Sequence, residues 1–193
     1  MKWTLSAVAF SMFLAVALAA NGVDVSSAIT RGTWDCLKNN GTKFAVVRLY
    51  KASGRPEKHA PATIRHARSA GFLVEGYIYP CYPCEVPRCQ VQAAIGNLRR
   101  NNETVARIWI NVFPPNDDRD HWSRVSEENV AFISEMVDEL TSQGFQVGIH
   151  TRWDKKPDFG HEFVPFGGWT KPFMKEYNYE NVCNVPVGRN WRP

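Results

Sequence analysis

A chain of 193 residues with a formal net charge of +4 is long enough to bury one sizeable core and too weakly basic to argue for a nucleic-acid partner. No Pro/Ser/Gly-rich linker and no block of like charge divides it, so a single domain is expected. Mild attraction to an anionic cell wall is all that the charge supports.

The N-terminus reads as a targeting segment. Lys2, the apolar run Leu5 to Leu18 and the small-residue pattern Ala17-Leu18-Ala19 have the form of a secretory signal over residues 1–19, leaving 20–193 as the mature domain. The apolar run is shorter than the roughly 20 residues of a spanning helix. The expectation is a secreted, extracellular chain without membrane association after cleavage. Loss of Lys2, the one charged residue of that segment, lowers the net charge by one.

All five cysteines (Cys36, Cys81, Cys84, Cys89 and Cys183) follow the cleavage point, where an oxidising compartment favours disulfides. Five is odd, so one thiol is left over in a monomer, or joins two chains in a disulfide dimer. Cys81, Cys84 and Cys89 could begin a zinc site, but no fourth ligand stands at zinc spacing and three prolines tighten the loop. Disulfides are therefore preferred; no metal and no cofactor are expected. Asn40-Gly41-Thr42 and Asn102-Glu103-Thr104 are glycosylation sequons.

In chain order, the strand candidates are Val23 to Ser26, Phe44 to Tyr50, Leu73 to Tyr79, Arg107 to Phe113 and Phe145 to Thr151. Weaker runs lie near Phe173 to Tyr177 and Val185 to Trp191. Helices are expected from Pro61 to Ala70, stopping at Gly71, and from Val86 to Arg100. A third starts from a Ser126 cap, carries Glu127 and Glu128 in its first turn and a Val130, Ile133, Val137, Leu140 face, and ends before Gly144.

This alternation predicts an α/β domain with a parallel sheet covered by helices, either a (β/α) barrel or an open doubly wound sheet. No glycine-rich phosphate loop follows the first strand, which argues against a nucleotide-binding sheet. Residues 152–169 hold Pro157, Pro165 and three glycines without helical period. A barrel-like single domain, incomplete or distorted after residue 151, is the resulting expectation.

Reactive groups of such barrels sit at the C-terminal ends of the strands. Those positions hold Asp24, Tyr50, the Glu75 to Tyr79 segment, Asn111 with Phe113, and His150.

Here the sequence resembles the glycoside hydrolase family 25 lysozymes, in particular the nematode-type secreted branch. The likeness rests on Gly22-Val23-Asp24-Val25-Ser26, Cys36-Leu37-Lys38, Phe44-Ala45-Val46-Val47-Arg48, Ser69-Ala70-Gly71, Tyr79-Pro80-Cys81, Gly148-Ile149-His150 and Pro165-Phe166-Gly167-Gly168-Trp169, and spans nearly the whole mature chain. The resemblance implies a protein that cleaves the glycan of peptidoglycan between aminosugars. Its machinery is an Asp-x-Glu pair on the fourth strand with aspartates on the first and last strands.

Asp24 matches the first-strand aspartate and is the one family carboxylate retained. In Trp109-Ile110-Asn111-Val112-Phe113, Asn111 stands where the family has Asp and Phe113 where it has Glu; neither can exchange the catalytic proton. Gly188 in Val187-Gly188-Arg189-Asn190-Trp191 takes the place of the last-strand aspartate. The stretch from His150 to Asp154 is also shorter than the family's.

Glycoside hydrolysis ordinarily needs two carboxyl groups. The expected function is therefore a secreted, catalytically impaired lysozyme-like protein that binds peptidoglycan or a related glycan in innate defence or digestion. Tyr79, Trp109 and Trp169 are its candidate sugar contacts, although the tryptophans, with Trp122 and Trp153, could equally pack a core. Competing readings are an active lysozyme with a substitute acid and a structural or signalling protein keeping only the fold. Glu75 is the better substitute and Asp117, Asp118 and Asp120 follow, with solvated surface charge the favoured use of all four. His150 is read as a satisfied or exposed histidine, or as a base.

Overall fold

Alternating side chains give each strand of this protein one face for its helices and another for a polar, aromatic interior. The computed structural model describes residues 20–84, 86–112, 122–150 and 174–192. In chain order the elements are β1 (Ala20–Val25), α1 (Arg31–Asn39), β2 (Phe44–Lys51), β3 (Arg55–Pro56), α2 (Ala60–Ser69), β4 (Leu73–Ile78), α3 (Pro87–Arg100), β5 (Arg107–Asn111), α4 (Ser126–Ser142), β6 (Gln146–His150), β7 (Lys175–Val182) and β8 (Val185–Arg192).

The strands form one sheet in the order β6-β5-β4-β2-β1-β8-β7, with β3 paired to β2. β1, β2, β4, β5 and β6 are parallel, whereas β8 joins β1 antiparallel and folds back on β7 as a hairpin. The α/β class and the barrel-like single domain expected from the sequence are thus present, but the barrel is not closed. No backbone ladder joins β6 to β7 among the described residues.

On the outer face, Val23, Val25, Ala45, Val47, Val74, Ile108 and Ile110 pack against Trp34 and Leu37 of α1, Ile64 and Ala67 of α2, Val91 and Ile95 of α3, and Phe132 and Met136 of α4. Each fully buried aliphatic side chain there stabilises by roughly 1.5–3 kcal/mol. The inner face carries a second cluster of Phe44, Val46, Tyr77 and Trp109. Two glycines make space for its rings: a Cβ on Gly22 would stand 2.3 Å from the Phe44 ring, and one on Gly148 would stand 2.4 Å from Trp109.

Three local expectations change. α1 was not foreseen; only Trp34 and Leu37 of its nine residues are buried, leaving little apolar period, and Thr30 Oγ1 caps it by accepting from the Thr33 amide at 3.3 Å. In α4, Val125 occupies the cap position and Ser126 is the first helical residue, with no side-chain cap bond. Its buried face is Phe132, Met136 and Leu140, while Val130 is 63% exposed.

Cys36 of α1 is bonded to Cys183, which ties that helix to the β7–β8 turn, and Cys81 is bonded to Cys84. Cys89 is the leftover thiol and is exposed. Cys183 and Asn184 both have positive φ (56° and 63°), the twist that a two-residue hairpin turn requires. Among the described residues no helix is long and apolar enough to cross a membrane.

Candidate functional site

Register assembles the site. Parallel pairing sets Asp24 beside Val46, Val46 beside Glu75, Arg48 beside Tyr77, Tyr77 beside Trp109 and Asn111 beside His150. From the antiparallel side, Gly188 lies beside Asp24, and Asn190 lies between Gly22 and Glu176. Residues far apart in sequence therefore meet at the C-terminal ends of β1, β5 and β6.

Asp24 is half-buried and accepts a 2.8 Å hydrogen bond at Oδ1 from Nδ2 of Asn190, whose side chain is fully buried. The last strand approaches so closely that a Cβ on Gly188 would stand 2.1 Å from the same Oδ1. The position where the family resemblance places a last-strand aspartate thus has no room for a side chain beside Asp24 as it stands.

Asn111 and His150 are both buried, and Asn111 Oδ1 lies 2.8 Å from His150 Nδ1. An amide oxygen only accepts, so Nδ1 carries the hydrogen in this contact. Nε2 lies 3.5 Å from Oε2 of Glu176. His150 is thus buried with its ring orientation set by Asn111, where the sequence left a satisfied histidine, an exposed one or a base open.

Tyr77 closes the floor of the site, its ring edge-on to His150 with centroids 6.5 Å apart. Burial pushes its phenol far above the ordinary tyrosine value, and the negative charge of Asp24 adds to the shift. Tyr77 therefore remains a neutral hydroxyl able to donate a hydrogen bond.

Glu75, the preferred substitute acid from sequence, has its carboxylate engaged by other side chains. Early on β4 it accepts from Trp109 Nε1 at 2.8 Å and from Arg192 at 2.9 Å, with Arg107 at 3.5 Å. It is 4% exposed, a buried ion-paired carboxylate and not the solvated charge that composition suggests. Arg192 stacks over the Phe44 ring at 3.7 Å. These partners engage Glu75 fully, two strands across from Asp24 on the register row of Val46.

Of the candidate sugar contacts, Tyr79 is half-buried just past the end of β4, while Trp109 is 3% exposed within β5. Trp169, Phe113 and the acids Asp117, Asp118 and Asp120 lie outside the described residues. Sequence reasoning missed Glu176 and Asn190. The one signal for Glu176 was an acid inside the weak strand candidate near Phe173 to Tyr177; Asn190 had only its place in the last-strand motif.

Among the described residues, an eight-stranded mixed sheet with four helices and an aspartate at the end of its first strand has the fold of the family 25 glycoside hydrolases. The solved lysozyme of that family from Aspergillus fumigatus superposes with a TM-score of 0.67 at 15% identity, over 91% of this chain and 94% of that one. A family model described as Lysozyme-like protein 1 matches residues 15–156, and the chain belongs to that lysozyme-like family within glycoside hydrolase family 25. Among its relatives, "Probable GH family 25 lysozyme 2" of Dictyostelium discoideum is 29% identical over the full length of both chains. "Lysozyme-like protein 5" of Caenorhabditis elegans is also 29% identical, over 92% of this chain and 94% of the relative.

Proposed function

We propose that this protein binds the glycan of bacterial cell walls as a secreted, monomeric member of its family and does not hydrolyse it by the family's route. The observation that carries the reading is the Asn111–His150 hydrogen bond at 2.8 Å. The side chain at the first position of the family's Asp-x-Glu pair is an amide committed to a buried histidine, and an amide exchanges no proton with a leaving sugar. The blocked space beside Gly188 supports the same reading. A role in defence or digestion follows from the wall glycan as ligand.

The test uses the purified secreted chain. It should be retained on insoluble peptidoglycan above a control protein while producing no clearing of bacterial walls from acidic to neutral pH, beside an active family member. Absence of retention from a folded sample would refute glycan binding.

A second reading, hydrolysis with a substitute acid, is favoured by one contact: Glu176 shares the Asp24 pocket, so a carboxylate pair exists where sequence offered a single group. Clearing that disappears in both Asp24→Asn and Glu176→Gln would establish it. Glu75, bound to two arginines and an indole, is no longer the residue to substitute.

A further inference from the structure

The sheet gathers three side chains of metal-ligand chemistry from segments 126 and 26 residues apart in sequence: Asp24 on β1, His150 ending β6 and Glu176 near the start of β7. One ligand atom from each lies within 4.8 Å of the other two. We propose that these three residues bind a first-row divalent cation, zinc being the one that best matches one imidazole and two carboxylates.

The histidine is prepared for this use. Asn111 Oδ1 holds the hydrogen on Nδ1, which leaves Nε2 on the side of Glu176 Oε2, 3.5 Å away. A ligating imidazole normally has its second nitrogen fixed by a carbonyl or carboxylate in this manner, so that tautomer and ring direction are set before the metal arrives. Asn111 is thus a positioning residue. At this position the Asn111 amide oxygen supplies the acceptor for Nδ1–H.

A second, independent feature points to a ligand at the same place. Asn190 is fully buried and its Nδ2 is bound to Asp24, while its Oδ1 meets no hydrogen-bond partner among the described residues. A buried, unpartnered amide oxygen on the residue that holds Asp24 suits either a cation or a water that a cation holds. Neither feature requires glycan binding, and the proposal stands whether or not the wall-binding reading does.

The donor set also selects the ion. Zinc takes nitrogen and carboxylate oxygen at about 2.0–2.2 Å and accepts three protein ligands with a fourth position open. At those bond lengths the donors stand roughly 3.5 Å apart, so small side-chain rotations close the present spacing. Magnesium and calcium prefer all-oxygen sets of six or more and gain little from an imidazole.

The experiment is calorimetric titration of the full secreted chain with zinc chloride, using magnesium and calcium chloride as comparators. Cys89→Ser is the parent, because the exposed thiol would otherwise compete. One zinc per chain with micromolar or tighter affinity is expected, with magnesium and calcium at least 100-fold weaker. Glu176→Gln and His150→Gln should each weaken zinc at least tenfold, and Asn111→Ala by about 10–100-fold. Zinc should raise the unfolding temperature of the parent and lose that effect in Glu176→Gln. Thermal unfolding without metal establishes which variants fold, and Glu176→Gln decides if the histidine variant does not.

No zinc binding by the folded parent would overturn the proposal. Zinc affinity in Glu176→Gln within twofold of the parent, or calcium bound as tightly as zinc, would overturn it equally.

Discussion

A Cβ on Gly188 would stand 2.1 Å from Oδ1 of Asp24, closer than any two non-bonded atoms can approach. The absence of a side chain at position 188 is therefore coupled to the position of Asp24, and an acid cannot be introduced there alone. Gly188→Asp should give no gain in wall clearing, and both it and Gly188→Ala should cost about 1–3 kcal/mol through overpacking. Thermal unfolding beside a clearing assay checks both statements. Recovery of activity by Gly188→Asp alone would show that Asp24 is free to move and that the site is not remodelled as described.

Glu75→Gln addresses the buried ion-paired group on β4. Its carboxylate is the common partner of Arg192, Arg107 and the Trp109 indole, and the side chains of Glu75 and Arg192 are only 5% and 11% exposed. Removing the charge leaves a buried guanidinium without its counter-ion, which costs about 3 kcal/mol. For a domain of this size the unfolding temperature should fall by roughly 6–12 °C. Retention on peptidoglycan by the folded fraction should not change. A change in retention without a change in stability would return Glu75 to the functional site.

The contrast between Glu75 and Glu176 shows what the sequence could reveal. The parallel strands were legible because Ala45 to Val47 and Ile108 to Ile110 are apolar runs with few alternative uses. Asp24, Asn111 and Gly188 were legible because they stand inside motifs with a fixed place on known strands. Glu75 was misplaced because an acid in an otherwise apolar strand does not disclose the arginines that neutralise it, 32 and 117 residues further on. Glu176 was invisible for the same reason: its meaning depends on a hairpin, β7–β8, that returns antiparallel to the first strand. Helix α1 escaped notice because two buried residues do not make a period.

The Cys36–Cys183 bond fixes that hairpin to α1 across 147 residues of sequence. Closing so long a loop restricts the unfolded chain, and its loss should cost about 2–5 kcal/mol. The paired variant Cys36→Ser with Cys183→Ser should unfold at lower temperature and denaturant concentration than the parent. In the untreated native protein an alkylating reagent should modify one thiol per chain, at Cys89. Modification at Cys36 or Cys183 by peptide mass mapping would contradict the pairing.

Glu128, in the first turn of α4, offers a pH-dependent check on how that helix is anchored to the loop after β4. The Ser123 hydroxyl donates to its carboxylate, and the Tyr82 hydroxyl donates at 3.1 Å, together holding its pKa below the ordinary value, with Ser123 the larger cause. Tyr82 also packs on Phe132 and Trp122, at centroid distances of 5.2 and 6.1 Å. With the folded pKa depressed, the stabilisation is present above the unfolded value and is lost as the pH falls through the folded value. Carboxyl-carbon titration by NMR should find Glu128 below the ordinary glutamate value. Ser123→Ala should move it upward more than Tyr82→Phe, and each should shrink the loss of stability on acidification. An unmoved Glu128 in both variants would mean that α4 is not anchored through these hydroxyls.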